Sequence, residues 1–322
     1  MRSKSIFLSI ALVALFSSCS SSKEETPTPP QPQMVEAQII AQSPADILSR
    51  VAVDGEGHVK WQAGDQMQVF VASAGSLSQT PLRFATSEAD ASKGIFKDTN
   101  SSPLKLDATK MYDWWAAIPY VGSQIMSPDG KGFFTLEDQI QGKVPTAHLS
   151  QNLLATATAK SVKGDTATRL MFKHQMALMK FVIVNDESQA VEVKGLRIEN
   201  STASLGGVLA VDYTKQSEII AAGSKTLQLT LKPSQTLTSN QQTNAYLVVV
   251  PNTVAQQGQF SITILTEEGN LTQTMTMTDA AMTFEAGKMY TTTLHVKGKQ
   301  ITSTIVDWKD APIIDGTLTP QK

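Results

Sequence analysis

The side chains that could support catalysis or bind a metal are few and scattered. The chain has one cysteine, Cys19, and four histidines, His58, His148, His174 and His295. No HExxH pair places two imidazoles around zinc, and a single cysteine excludes thiolate zinc clusters and intramolecular disulfides. The sequence also lacks a GxSxG elbow, a DxDxDG calcium loop and a glycine-rich phosphate loop. We therefore expect no catalytic residue, no metal and no cofactor.

Carboxylates and aromatic side chains leave two alternatives open. The two carboxylates of a glycosidase can come from distant positions of a chain. The lack of a motif therefore does not exclude the interpretation as a surface hydrolase. Residues 112–120 read YDWWAAIPY, and Trp114 and Trp115 could serve as binding aromatics that stack on sugar rings. We favour the other interpretation, in which both tryptophans are buried and their indole N–H groups are hydrogen-bonded.

The first eighteen residues predict an export signal. Arg2 and Lys4 precede an apolar run, residues 6–16, that is too short to span a bilayer. Cys19 follows where a bacterial lipoprotein carries its lipid-modified cysteine, although Phe16 stands where leucine is more usual. The alternative is a plain secretory signal with an incidental cysteine. We predict lipid attachment at Cys19, and a tether over residues 19–33 whose TPTPPQPQ stretch favours an extended polyproline spacer.

The folded part of the chain shows strand periodicity. In residues 226–232, Leu227, Leu229 and Leu231 alternate with polar side chains, and residues 260–265 and 271–277 flank a TEEGN turn as a hairpin. Many short strands between Gly, Pro and Asn turns predict an all-β fold built of β-sandwiches. The length of 322 residues and a polar stretch at 157–168 predict two domains, residues 34–167 and 168–322. A net charge of -2 argues against nucleic acid as a partner.

Three stretches together resemble a known family. They read SRVAVDGEGHVKWQAGDQMQVF near the start, HQMALMKFVIV in the middle and FEAGKMYTTTLHVKGKQITSTIVDW near the end. The chain resembles the fimbrillin family, the lipoprotein subunits of type V pili on Gram-negative anaerobes. The resemblance implies two tandem transthyretin-like β-sandwich domains, maturation by an arginine-specific protease that releases the first strand, and a neighbouring subunit's strand in the vacated groove.

The resemblance also assigns the residues of maturation. The first strand is residues 35–42, with Val35, Ala37, Ile39 and Ala41 on one face, and the removable segment is 34–50. Cleavage is expected at the bond between Arg50 and Val51; the alternative is a solvated surface arginine.

The tail after Trp308 departs from the family pattern. Its fourteen residues could reach about 46 Å, enough for a donor strand. Pro312, Gly316 and Pro320 interrupt it, and a proline cannot donate to a strand ladder. A stalk, tip or accessory subunit are all compatible with this tail.

The expected function is that of a non-enzymatic fimbrial subunit. We expect it at the cell surface as an outer membrane lipoprotein, assembled by donor-strand exchange with other fimbrial subunits and contributing to adhesion. The alternative is a surface glycan-binding lipoprotein of a nutrient-uptake system, with Trp114 and Trp115 as its platform.

Overall fold

A computed structural model describes residues 31–42, 61, 63–73, 76–77, 81–89, 93–120, 131–212, 219–251, 254–256, 260–274, 281–297, 300–302 and 309–312. Of these residues, 64% lie in strands and 2% in a helix, so the predicted all-β class is confirmed. The helix in this part of the chain is the short α1 (Leu149–Asn152).

The strands up to His174 are, in chain order, β1 (Met34–Glu36), β2 (Gln38–Gln42), β3 (Gln66–Ser73), β4 (Ser76–Leu77), β5 (Leu82–Ala89), β6 (Lys93–Asp98), β7 (Lys105–Asp107), β8 (Met111–Ile118), β9 (Lys131–Leu136), β10 (Gln139–Gln141), β11 (Ala155–Lys163), β12 (Thr168–Met171) and β13 (Lys173–His174).

The later strands are β14 (Ala177–Asn185), β15 (Val191–Asn200), β16 (Gly207–Asp212), β17 (Ile219–Ala222), β18 (Thr226–Leu237), β19 (Gln242–Val249), β20 (Val254–Gln256), β21 (Phe260–Thr266), β22 (Leu271–Thr274), β23 (Ala281–Thr283), β24 (Lys288–Lys297), β25 (Gln300–Thr302) and β26 (Lys309–Pro312).

Side-chain alternation determines which face of each strand is buried. In β18, Leu227, Leu229 and Leu231 are all buried, as their spacing predicts. β21 and β22 pair as an antiparallel hairpin, and Gly269 in its turn adopts a φ of 134°, a region that glycine tolerates. The predicted hairpin is thereby confirmed.

Nine of the strands up to His174 form one sheet that closes on itself. Its order is β12-β2-β6-β5-β3-β8-β11-β13, with β4 beside β3. Only Phe172 separates β12 from β13, so one stretch of chain pairs with β2 through its first half and with β11 through its second. Apolar side chains from the enclosed faces, among them Met67, Phe84, Phe96 and Trp114, form the core of this sheet.

The second half forms a β-sandwich. One sheet has the order β10-β18-β15-β21-β22, and the other has β19-β14-β24 with β25 and β26 along β24. Side chains of both sheets, such as Ile198, Leu229, Phe181 and Leu294, belong to one buried core. The outer faces of β3 and β8 contribute Phe70 and Trp115 to the same core. The first sheet is therefore buried on both faces where these two strands run.

The division into two domains stays a prediction. Within the described chain, Thr168–Met171 pair with β2, and Leu170 and Phe172 belong to the core of the first sheet. We therefore propose that the boundary lies after His174 and not at residue 167.

A six-residue pattern occurs once in each half with the same geometry. The two copies read DATKMY, residues 107–112, and EAGKMY, residues 285–290. The hydroxyl of Tyr112 accepts a hydrogen bond from the backbone N–H of Asp107 at 2.9 Å, and Tyr290 accepts one from Glu285 at 2.8 Å. In each copy the lysine also forms an ion pair with the acidic residue three positions before it. Each buried tyrosine thus fastens the turn that precedes a core strand.

Candidate functional site

The second described strand, β2, occupies an interior position of the closed sheet. β2 pairs antiparallel with β6 on one side and parallel with β12 on the other. Ile39 lies opposite Phe96 in β6 and Thr168 in β12. We call the position between β6 and β12 the slot. Because both sides of β2 are paired, removing this strand would expose backbone N–H and C=O groups on two neighbours at once.

The strand that fills the slot has one apolar and one polar-leaning face. Ile39 and Ala41 have no exposed surface and Ala37 is 5% exposed, whereas Gln38, Ile40 and Gln42 are half-buried. The inward face predicted for residues 35–42 is therefore confirmed, with Val35 half-buried at its start. This period of two gives the slot three inward positions, which hold a small, a large and a small side chain.

Trp61 packs against the neighbouring strand at the Ala41 end of the slot. A Cβ atom placed on Gly94, the partner of Ala41, would lie 2.7 Å from Cε2 of Phe96 and 3.2 Å from Cγ of Trp61. The Trp61 ring makes edge contacts with Phe96 and Phe172, at centroid distances of 5.1 and 6.0 Å. Glycine at position 94 is what lets this indole approach the strand so closely.

A second set of backbone bonds holds the start of the segment. β1 pairs antiparallel with β7, so that Val35 lies opposite Leu106. The N–H of Ala37 donates to the carbonyl of Leu104 at 2.9 Å, and the N–H of Ala108 donates to the carbonyl of Gln33 at 2.9 Å. Residues 33–42 are therefore paired with the body along their whole length.

The turn after β7 depends on a carboxylate. Oδ1 of Asp107 accepts hydrogen bonds from the hydroxyl and the backbone N–H of Thr109, at 2.6 and 2.9 Å, and Lys110 lies 3.7 Å from Oδ2. The hydrogen bonds from Thr109, and to a smaller extent Lys110, lower the pKa of Asp107 below its ordinary value of 3.8. The ionised form is thus the one that the folded turn favours.

This pKa shift predicts an acid-sensitive anchor for β1. Since the folded pKa of Asp107 is depressed, its contribution to stability is full above pH 3.8 and is lost as the pH falls through the folded pKa. We expect Asp107→Asn to show a smaller loss of unfolding free energy than the wild type between pH 5 and pH 2, measured by urea unfolding. Asp165→Asn, which alters a carboxylate in a different turn, is the matched control for β1. Lowering the pH should increase opening of the Val35 amide in the wild type and in Asp165→Asn, and should have a smaller effect in Asp107→Asn. A smaller effect in Asp165→Asn instead would contradict the assignment.

The two candidate binding aromatics are core residues. Trp114 and Trp115 are 1% and 5% exposed, so neither offers a free face to a sugar ring. Lys160 Nζ lies 3.9 Å from the centroid of the Trp115 ring and covers it. The expected burial is confirmed, but the expected hydrogen bonds are not: both indole N–H groups lack a partner among the described residues.

The remaining residues of interest do not form a catalytic cluster. Cys19, Arg50 and Val51, singled out in the sequence for lipid attachment and cleavage, lie outside the described residues. His295 pairs with Asp186 at 2.9 Å, and His148 and His174 are buried at separate places. The described ranges contain no group of His, Cys, Asp and Glu side chains that could hold a metal. They also contain no helix long and apolar enough to cross a membrane.

Sequence reasoning identified the strand but missed most of what surrounds it. Trp61 was part of the fimbrillin-like pattern, yet its place beside Gly94 was not foreseen. A boundary at residue 167 would place Leu170 and Phe172 in the second domain, whereas both pack in the core of the first sheet. The sequence did carry one signal: Leu170 and Phe172 lie two positions apart, the spacing of one face of a strand.

Comparisons with known proteins place the fold. A sequence model described as fimbrillin-like matches residues 49–308. A candidate cell adhesion protein from Bacteroides uniformis has a similar crystal structure, with 14% identity, a TM-score of 0.59, and coverage of 87% of this chain and 98% of that chain. Another from Bacteroides ovatus has 15% identity, a TM-score of 0.58, and coverage of 87% and 96%. No curated protein matches the sequence. At these identities the two structures show a shared fold, and the family match, which covers most of the chain, shows that the chain belongs to the fimbrillin-like family.

Proposed function

We propose that the chain is a fimbrial subunit that acts at the cell surface, contributes to adhesion and assembles by exchange of the strand in the slot. Membership of a family of structural proteins agrees with the expectation that it is not an enzyme. The observation that carries the proposal is the enclosure of β2 between β6 and β12, with its apolar side chains directed into the core.

Release of β2 would create a site for another strand. Unpaired backbone groups of β6 and β12 would face each other across the slot, and the places of Ala37, Ile39 and Ala41 would be empty. An extended segment of a second subunit can satisfy the backbone groups and place alternate side chains in the empty positions. We expect that segment to carry a small side chain where Ala41 sits, because Trp61 packs over Gly94, the partner of Ala41.

Proteolysis after Arg50 is the proposed trigger. The arginines in the described part of the chain, Arg83, Arg169 and Arg197, all lie in paired strands. A protease binds its substrate in an extended form, so cleavage at a paired strand first requires local unfolding. We therefore expect an arginine-specific protease to cut these three slowly; after cleavage at Arg50, β2 would be free of a covalent link to Val51.

The anchor and the location belong to the same proposal. A lipid on Cys19 would hold the chain at the outer membrane through the tether of residues 19–33, as the N-terminal sequence pattern indicates. Labelling cells with radioactive palmitate tests the anchor: we expect label on the wild type and none on Cys19→Ala. Label retained by the alanine variant would contradict lipid attachment at this residue.

Limited digestion tests the proposed function. We expect an arginine-specific protease to produce a mature chain that begins at Val51, seen by N-terminal sequencing, and the cut chain to form higher oligomers. An Arg50→Lys chain keeps the charge but lacks the cleavage residue, and it should stay intact and monomeric under the same conditions. A cut chain that remains monomeric at all concentrations would contradict assembly through the slot.

The cut chain should also acquire a second cleavage site. β2 is the strand that pairs with β12 in the described sheet, so its departure leaves Arg169 on an open edge. We expect slower, secondary cleavage after Arg169 in the cut chain, suppressed by a synthetic peptide of residues 34–42 that refills the slot. Intact Arg50→Lys chain is the control; equal cleavage at Arg169 in both chains would show that β2 does not protect β12.

The glycan-binding alternative loses its proposed platform, because Trp114 and Trp115 are buried.

The start of the C-terminal tail is paired with the body, since Lys309–Pro312 pair antiparallel with β24. Pro312 is the last residue of β26, where a missing N–H is tolerated.

A further inference from the structure

The outer edge of β19 is a second place where a strand could add. Among the described strands, β19 pairs with β14 alone. In an antiparallel pair every second residue directs its backbone groups away from the partner, and here those residues are Asn244, Tyr246 and Val248. An uncovered row of this kind is a template for pairing with another chain.

Two glutamine side chains cover this row. Gln139 Nε2 donates to the carbonyl of Val248 at 2.8 Å, and its Oε1 accepts the N–H of the same residue at 3.1 Å. Gln141 Oε1 accepts the N–H of Tyr246 at 2.9 Å, and its Nε2 donates to the carbonyl of Asn244 at 2.7 Å. A side-chain amide has the donor and acceptor of a peptide unit, so each glutamine replaces one unit of a neighbouring strand.

A histidine completes the row. His148 Nε2 lies 2.9 Å from the carbonyl of Tyr246 and donates to it, since a carbonyl oxygen can only accept. Burial lowers the pKa of His148, which keeps the ring neutral. With this contact, the outward N–H and C=O groups of Tyr246 and Val248 and the carbonyl of Asn244 all have side-chain partners.

The burial pattern of β10 is the reverse of what a strand usually shows. Gln139 and Gln141 are 2% and 4% exposed, while Ile140 between them is 51% exposed. A strand that served only to fill the core would turn its isoleucine inward. The backbone of β10 meanwhile pairs in parallel with β18 of the opposite sheet, with Gln139 opposite Leu229. β10 is thus held against one sheet by its backbone and against the other by its amides.

We propose that Gln139, Gln141 and His148 form an edge cap that prevents β19 from accepting an extended segment of a second copy of this chain. The cap confines strand addition to the slot, and this last step rests on the proposed function. A subunit with two open edges could branch or aggregate, whereas a capped subunit polymerises in one direction.

Removing the amides tests the cap. The variant Gln139→Val with Gln141→Val keeps strand-forming residues in β10 but leaves the β19 row without these partners. The matched control is Gln228→Val with Gln235→Val, which makes the same change at two glutamines of β18, outside the cap. Both are made in the full chain with Cys19→Ser, without protease, so that the slot stays filled. Sedimentation velocity over a 100-fold concentration range should show monomers for the wild type and control, and concentration-dependent oligomers for the cap variant.

The outcome is decisive in either direction. A folded cap variant that stays monomeric throughout would overturn the proposal. Failure of Arg50 cleavage or of slot exchange would not alter this result, because the chain is uncut. If the cap variant does not fold, amide exchange in the wild type decides: the N–H groups of Tyr246 and Val248 should exchange at least about 100-fold more slowly than exposed amides. Exchange at the rate of exposed amides would overturn the proposal.

Discussion

Ile39→Asp is expected to lower the free energy of unfolding by more than about 4 kcal/mol, because it places an unpaired carboxylate in a site with no exposed surface. The side chain points into the core of the closed sheet, where Phe96 and Leu170 are also fully buried. Water cannot reach a carboxylate there without opening the sheet. The expected result is a chain in which β2 leaves the slot or the first sheet unfolds.

Ile40→Asp is the matched control for this change. Ile40 is the next residue of the same strand, it is half-buried on the opposite face, and the substitution is chemically identical. We expect it to cost about 1 kcal/mol, the range of strand propensities. Urea unfolding of both variants measures the difference. Equal destabilisation would contradict the inward direction of Ile39 and with it the apolar character of the slot.

Arg50→Ala is expected to abolish assembly while leaving the fold intact. An arginine-specific protease recognises the charged side chain, and we expect its removal to slow cleavage by at least about 100-fold. Uncut chain keeps β2 in the slot, paired to both β6 and β12, so no groove is offered to a neighbour. Cells that carry this variant should show surface chain but no polymer.

Electron microscopy and gel analysis of surface polymer measure this effect. Arg83→Ala is the matched control. Arg83 lies within β5, opposite Gln68 of β3, and is not the proposed cleavage residue. It should leave polymer at the wild-type level. Polymer of normal length in the Arg50→Ala strain would mean that cleavage at this residue is not the trigger.

Local pattern was enough to predict much of the fold. Residues 226–232 alternate leucine with polar side chains, and residues 266–270 carry a glycine able to adopt a positive φ, so the strand and the hairpin follow from neighbouring residues alone. The inward face of residues 35–42 was predictable for the same reason. These elements depend on periods of two and on turn chemistry, which a single sequence displays.

Long-range pairing was not predictable in this way. Nothing near Thr168–Met171 indicates that it pairs in parallel with Gln38–Gln42, because a parallel partner is chosen by the path of the whole chain. The predicted boundary at residue 167 therefore separates this stretch from the strand with which it pairs. The contact of Trp61 with Gly94 is not predictable for the same reason, because neither residue type indicates that the other lies beside it.

Polar residues with unusual roles are also hard to identify from sequence. Gln139 and Gln141 lie in a polar stretch that resembles a loop, yet both are buried and bond to the backbone of β19. The pattern shared by residues 107–112 and 285–290 was visible in the sequence. Its role depends on the fold, because each tyrosine hydroxyl accepts a hydrogen bond from the backbone N–H of the residue five positions earlier.

Locking β2 in place tests strand exchange through the slot. Ile40 and Ile95 are direct partners in the antiparallel pair of β2 and β6, and such partners have Cα atoms about 4.5–5.5 Å apart, within the range of a disulfide. A chain with Ile40→Cys, Ile95→Cys and Cys19→Ser is cut with an arginine-specific protease, and its mass is measured with and without reductant. We expect cleavage after Arg50 in both cases, a monomer when the chain is oxidised and oligomers when it is reduced. Oligomers of equal size in the oxidised chain would contradict strand exchange through the slot.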